Sequence, residues 1–242
     1  MLDRARAFGA LMIALAATGC ASTQTTDSTD QNDPYESFNR QVFSMNLSLD
    51  NNVALPIAKF YVRAVPEPAR DGVHNFLSNL NEPSTFANDI LEGEVSRACT
   101  TLGRFTINTT IGMAGLVDAA TKFGIDGHTT DFGETLAVYG AGEGPYLVLP
   151  VLGPSNPRDA AGDLVDVGLD PTTYISFRSS IYWMLARGTL AVVDVRARNI
   201  GTIAEIERSS VDLYATERSL YRQHRNAQIH GGKPDLQNLP NM

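Results

Sequence analysis

The chain of 242 residues is 43% hydrophobic and 19% charged, with 19 Lys+Arg against 27 Asp+Glu and a formal net charge of -8. That balance excludes a protein that grips a nucleic-acid backbone through counterion release, and it gives the chain no general attraction to an anionic membrane surface. The two cysteines, with no CxxC and no Cys/His cluster, supply neither a disulfide framework nor a structural zinc site.

Residues 1–19 read as an export signal. Arg4 and Arg6 form a basic start, and the apolar run Ala7 to Ala17 covers roughly half of a bilayer core of about 30 Å, too little to span it. Ala17-Thr18-Gly19-Cys20 then places small residues ahead of a cysteine, an ending similar to a bacterial lipobox, in which Cys20 is acylated on sulfur and becomes the mature N-terminus. At about 0.8 kcal/mol per buried CH₂, several acyl chains on one residue make release from the membrane negligible. This covalent lipid is the one non-protein group expected; no cofactor or metal is called for. Residues 20–33 are the lipidated N-terminus and a tether of Ser, Thr, Gln, Asn and Asp, with a root-mean-square reach of roughly 20 Å. Ala21 stands where bacterial lipoproteins retained at the inner membrane commonly carry Asp, which favours the outer membrane.

From residue 34 to 228 the pattern is helical. Asp33 can cap, Pro34 suits the first helical position and Glu36 completes a capping box, ahead of Tyr35, Phe38, Val42, Met45 and Leu49 at three- and four-residue spacing. A second helix is predicted over Leu55 to Val65. Pro66 and Pro68 break the chain before a stripe from Ala69 to Leu80, and further short helices are predicted at Pro83 to Leu91 and from Val95 to about Phe105. Cys99, among Val95, Ala98 and Leu102, is expected to be a buried, inert thiol. Between Asn108 and Pro157 recurrent Gly and Pro exclude long helices, except that Asp131 caps one with Glu134 three residues on. Gly140 to Pro154 is predicted to be an apolar, non-helical crossing. Asp163 and Asp166, three apart on a helix, are expected on a solvated face. Ile181 to Val195 is strongly apolar but carries Arg187 and Asp194, which favours a core or membrane-surface helix over a transmembrane one. Val211 to Gln228 is amphipathic, and residues 229–242 are a Gly/Pro/Asn tail expected to be disordered. No sustained alternating pattern marks a strand, so the expected class is all-α: short amphipathic helices with a Gly/Pro-rich non-helical segment.

No catalytic constellation assembles. His74, His128, His224 and His230 have no HExxH spacing and are expected at the surface or at caps. There is no GxSxG elbow, and Gly140-Ala-Gly-Glu-Gly lacks the preceding strand that a dinucleotide loop requires. The chain does not read as an enzyme.

Four blocks carry a resemblance. They are Asp33-Pro34-x-Glu36-x-x-Asn39-Arg40-x-x-Phe43-x-x-Asn46; Pro66-x-x-x-Arg70-x-Gly72-Val73-x-Asn75-Phe76-x-x-Asn79-Leu80-x-x-Pro83; Arg104-Phe105-x-x-Asn108-Thr109-Thr110-x-Gly112-x-x-Gly115-Leu116-x-Asp118; and Asp131-Phe132-Gly133-x-Thr135-Leu136 leading to Gly144-Pro145-Tyr146-Leu147-x-Leu149-Pro150-x-x-Gly153-Pro154-Ser155-x-x-Arg158-Asp159. In this order, behind a lipobox, the chain resembles the MlaA (VacJ) family of outer-membrane lipoproteins, with Glu134 at a position where the family commonly has Gln. The resemblance implies a ring-like helical domain seated in the inner leaflet of the outer membrane around an amphipathic channel. It further implies removal of phospholipids misplaced in the outer leaflet, their delivery to a periplasmic lipid carrier that feeds an inner-membrane ABC transporter, and a trimeric porin as partner. A structural envelope lipoprotein that binds a porin or the cell wall without moving lipid is the alternative. Under the transport reading, backbone around Gly140, Gly142 and Gly144, with Tyr146, is the candidate lining of the lipid path. Arg218, Arg222 and Arg225 in the last helix are candidate contacts for headgroups or a partner.

Overall fold

A computed structural model describes residues 32–174 and 180–231; Cys20, the tether to residue 31 and the tail beyond 231 lie outside the described residues. The described residues from Asp33 onward form one compact unit. Helix α1, Glu36–Leu49, runs through five π-helical residues, Asp50–Ala54, into α2, Leu55–Ala64. Val65 leaves the helix in an extended conformation ahead of Pro66, and α3, Glu67–Leu91, starts with Pro68 in its first turn, where a missing N–H costs nothing. Helix α4 is Val95–Thr110, α5 the single turn Ala119–Lys122 and α6 Phe132–Val138. Strands β1, Leu147–Leu149, and β2, Gly153–Ser155, pair antiparallel with Val148 opposite Pro154. Helix α7, Pro157–Leu169, is capped by Asn156, whose side chain accepts from the Asp159 N–H. After a short 3₁₀ turn, Pro171–Tyr174, come α8, Ser180–Arg198; α9, Ile200–Ser209; and α10, Leu213–Ile229. Helix α3 packs along α4, α6 on α7, and α2 on α8.

The helices are turned with their polar sides inward. Among the described residues, buried polar and charged side chains outnumber buried apolar ones, while large apolar side chains stud the outside. In α7, Leu164 is 78% exposed and Val167 52%, whereas Arg158 and Asp159 are buried. In α8, Tyr182, Met184, Leu185, Val192 and Val195 are exposed and Asp194 is buried. The apolar core is small: Val42, Tyr146, Val148 and Tyr214, with Phe43 and Tyr221 packed on it. Its rings meet edge-on or tilted, with Phe43 5.7 Å and Tyr146 6.2 Å from Tyr214.

Several expectations are corrected. Asp33 does not cap α1; Tyr35 holds the N-cap position and makes no side-chain cap bond, while Asp33 is buried against Asn39, Tyr214 and Arg218. The stripe from Ala69 and the helix at Pro83 are one helix, α3, which keeps Pro83 inside it and buries Glu82 and Thr85 on either side. The crossing at 140–154 contains a two-strand hairpin; strands of three residues are too short to show alternation. Cys99 is exposed: its neighbour Ala98 faces inward, and a residue one step on is rotated away from that face. Asp166 is not on a solvated face, since it accepts from Asn88 Nδ2 at 2.8 Å and from the Phe132 N–H at 2.9 Å. Asp131 caps α6 as predicted, accepting from the Glu134 N–H at 3.0 Å.

Candidate functional site

Three polar features organise the interior. The first is an asparagine staple. Asn39 and Asn46, seven residues apart on one face of α1, pair with backbone groups of β1 and of the residues just before and after it. Asn39 Nδ2 donates to the Tyr146 carbonyl (3.0 Å) and its Oδ1 accepts from the Val148 N–H (3.0 Å); Asn46 Nδ2 donates to the Leu149 carbonyl (2.9 Å) and its Oδ1 accepts from the Val151 N–H (2.8 Å). A lone hairpin leaves such groups unpaired, which is costly away from water. The turn between the strands requires left-handed backbone at Val151 (φ +69°) and Gly153 (φ +86°).

The second is the clasp made by α10. Arg225 reaches Asp131 (2.5 and 2.6 Å), Asp159 (2.9 Å) and Glu134 (3.5 Å), joining α6 and α7 to α10. Burial and the neighbouring Asp131 charge push the Glu134 carboxyl up to about 7. Burial also opposes ionisation of Asp159, but hydrogen bonds from Tyr221, Arg225 and Arg158 hold its carboxyl below the usual carboxylate range. Arg218 Nη1 donates to Asp33 at 2.7 Å, and Arg40 forks onto Asp212 at 2.6 and 3.2 Å.

The third is a polar cavity of about 400 Å³ between α3, α4 and the 118–129 segment. Arg104 is fixed at its wall by Glu82 (3.3 Å), Asp118 (3.1 Å), Thr121 (3.0 Å) and the Ile125 carbonyl. Hydrogen bonds from Thr121, Arg104 and Asn108 outweigh burial at Asp118 and hold its carboxyl at about 2. His74 and His128 line the cavity, and each is tied to a buried carboxylate: His74 Nδ1 lies 2.9 Å from Asp194, and His128 Nε2 2.8 Å from Asp89. Both are part-exposed, as the surface expectation has it, but neither is at a cap and each is held by its carboxylate. The arrangement offers polar contacts without a nucleophile–base pair, and among the described residues no His/Cys/Asp/Glu group could hold a metal ion.

The sequence-predicted residues are dispersed among these features. Gly140 (φ +85°) and Gly142 are exposed, with nothing within 4 Å of an added Cβ, whereas a Cβ on Gly144 (φ +73°) meets Pro157 Cγ at 3.1 Å. Tyr146 is buried in the aromatic core rather than at an open surface. Arg218 and Arg225 are both 7% exposed and bind carboxylates of the chain, while Arg222, 3.0 Å from Glu143, is the more open of the trio. Sequence reasoning missed Glu82, Asn88, Arg104 and Asp118. Arg104 and Asp118 stand in the blocks that carry the family resemblance, and Glu82 lies in the same helix as the second of those blocks.

Among the described residues no helix is long and apolar enough to cross a membrane. A helical body with apolar side chains outward and hydrogen-bonded polar groups inward is of the class whose surface suits hydrocarbon and whose interior suits polar groups. The chain belongs to the MlaA lipoprotein family, whose model matches residues 31–228. It is 35% identical over 229 residues to the "Intermembrane phospholipid transport system lipoprotein MlaA" of Haemophilus influenzae, covering 93% of this chain and 90% of that one. Against the protein of the same name from Escherichia coli K12 it is 34% identical over 227 residues, covering 92% and 88%. A solved structure described under the structural basis for maintenance of bacterial outer membrane lipid asymmetry superposes with a TM-score of 0.72 at 34% identity, covering 81% of this chain and 98% of that one.

Proposed function

We infer that the protein is an intermembrane phospholipid transport lipoprotein that maintains outer-membrane lipid asymmetry. The observation that carries the mechanism is the reversal of polarity. An apolar exterior lets the helical body rest among acyl chains, and the hydrogen-bonded interior supplies a route on which a charged headgroup keeps polar contacts while its tails stay in hydrocarbon. We assign the headgroup route to the polar cavity beside Arg104 and the exposed backbone at Gly140, Gly142 and Gly144, with Tyr146 as the buried anchor of that segment. Acylated Cys20 ties the body to the inner leaflet of the outer membrane. A trimeric porin and a periplasmic lipid carrier are the partners, and Arg222 is the surface contact retained from the arginine trio. No covalent step is needed, because moving an intact lipid makes and breaks no bonds.

Gly142→Trp tests the path. Its Cβ meets nothing within 4 Å, so the variant folds. Phospholipid at the cell surface, read with a membrane-impermeant amine dye on phosphatidylethanolamine, rises in cells that carry it. Wild-type surface phospholipid with normal protein levels would remove this segment from the path.

A further inference from the structure

A second cavity, of about 650 Å³, opens where α1, the hairpin, α9 and α10 meet. Its size is that of a small-molecule site, and Phe43, Leu47, Ile203, Ile206, Leu213 and Leu220 give it an apolar wall. Three carboxylates also line it. Asp50 is neutralised by Arg196, at 2.7 and 2.9 Å. Glu207 and Glu217, both half-buried, have no ion pair or hydrogen bond within the described residues. Burial alone pushes the Glu217 carboxyl up. A carboxylate set against hydrocarbon without a counter-charge is destabilising, and a cation that brings its own apolar body removes that cost.

We propose that this cavity binds the ammonium end of an ethanolamine-class phospholipid, with Glu217 as counter-charge and the apolar wall as the seat for part of an acyl chain. An ammonium carries three N–H donors, which suits the two unpaired carboxylates. His224, seven residues beyond Glu217 and on the same face of α10, lines the cavity and supplies a ring N–H for the adjoining phosphate. A glycerol headgroup carries no cation and presents its phosphate to the acidic wall unshielded, so the site discriminates against it. The inference rests on the phospholipid-transport reading and adds a headgroup preference and a holding site apart from the polar cavity at Arg104.

The test uses the full acylated protein in mild detergent, titrated with short-chain phosphatidylethanolamine or phosphatidylglycerol and read by native mass spectrometry. Phosphatidylethanolamine is expected to bind about tenfold more tightly, the scale of one charge-assisted hydrogen bond, and Glu217→Gln is expected to abolish that preference. Glu205→Gln, at an exposed position of α9 outside the cavity, leaves it unchanged. Equal binding of the two lipids, or a preference that survives Glu217→Gln, overturns the proposal. Binding of neither lipid overturns the phospholipid reading and the site with it. Unchanged lipid binding in a Glu217→Gln variant that loses a co-purifying protein makes the cavity a protein-docking site, which also overturns the proposal.

Discussion

Replacing Asn39 by alanine tests whether the hairpin is held by side chains of α1. Asn39 is fully buried and makes three hydrogen bonds, to Asp33 Oδ1 (2.8 Å), the Tyr146 carbonyl (3.0 Å) and the Val148 N–H (3.0 Å). Alanine leaves a buried carbonyl, a buried N–H and one bond of a buried carboxylate unsatisfied. At about 1 kcal/mol for each neutral group and about 2 for the bond to Asp33, the expected loss is roughly 4 kcal/mol. Asn46→Ala, at a half-buried position with two neutral bonds to the Leu149 carbonyl and the Val151 N–H, is expected to cost only about 1–2 kcal/mol. Denaturant titration in detergent, followed by circular dichroism, gives both numbers. Asn46→Ala then serves for function: the variant folds, its hairpin loses one attachment, and lipid transport falls. An Asn39→Ala protein within 1 kcal/mol of wild type, or losses equal at the two sites, would refute the staple.

Three further outcomes follow from the interior charges and the outer face. Arg225→Met leaves Asp131, Asp159 and Glu134 facing one another and is expected to cost about 3–5 kcal/mol, measured by the same titration. Glu134 has a raised folded-state pKa, about 7 against 4.5, so folding takes up a proton between those values and wild-type stability falls as pH rises through that window. Glu134→Gln removes this dependence: the variant gains up to roughly 3 kcal/mol relative to wild type above pH 7 and loses the advantage near pH 4, as a paired pH series of melting temperatures would record. Cys99 is exposed between Val95 (63%) and Leu102 (50%) on one stripe of α4, and the proposed seating in the leaflet turns that stripe to hydrocarbon. A thiol in hydrocarbon does not form the reactive thiolate, so in intact membranes Cys99 resists a charged maleimide that labels it once the membranes are dissolved in denaturant; equal labelling before and after would place that stripe in water.

Element boundaries governed by local chemistry were legible in the sequence. Asp131 caps because its short side chain reaches the first free N–H groups, and Pro66 ends one helix and starts the next through its fixed φ. What depends on distant partners was not. Asp33 abandons a cap for Arg218 and Tyr214, some 180 positions away along the chain, and Pro83 stays inside α3, a helix packed along α4. Direction depends on more than spacing. Amphipathic spacing shows that α7 has a polar and an apolar face, but which face turns outward depends on whether the surrounding solvent is water or lipid, and here Leu164 lies outside with Asp159 inside. The arginine trio shows the same effect. Its positive charge in the sequence suggested an exposed contact, and Arg218 and Arg225 instead neutralise acids that the interior could not hold alone.

The most direct test of the account is the phospholipid content of the outer leaflet in cells that lack this chain, measured with the impermeant amine dye before and after the full chain is returned. The account predicts raised surface phosphatidylethanolamine on loss, full reversal by the wild-type chain, and no reversal by Cys20→Ser, with porin levels constant throughout. Surface phosphatidylethanolamine that stays at the wild-type level in cells without the chain would contradict it.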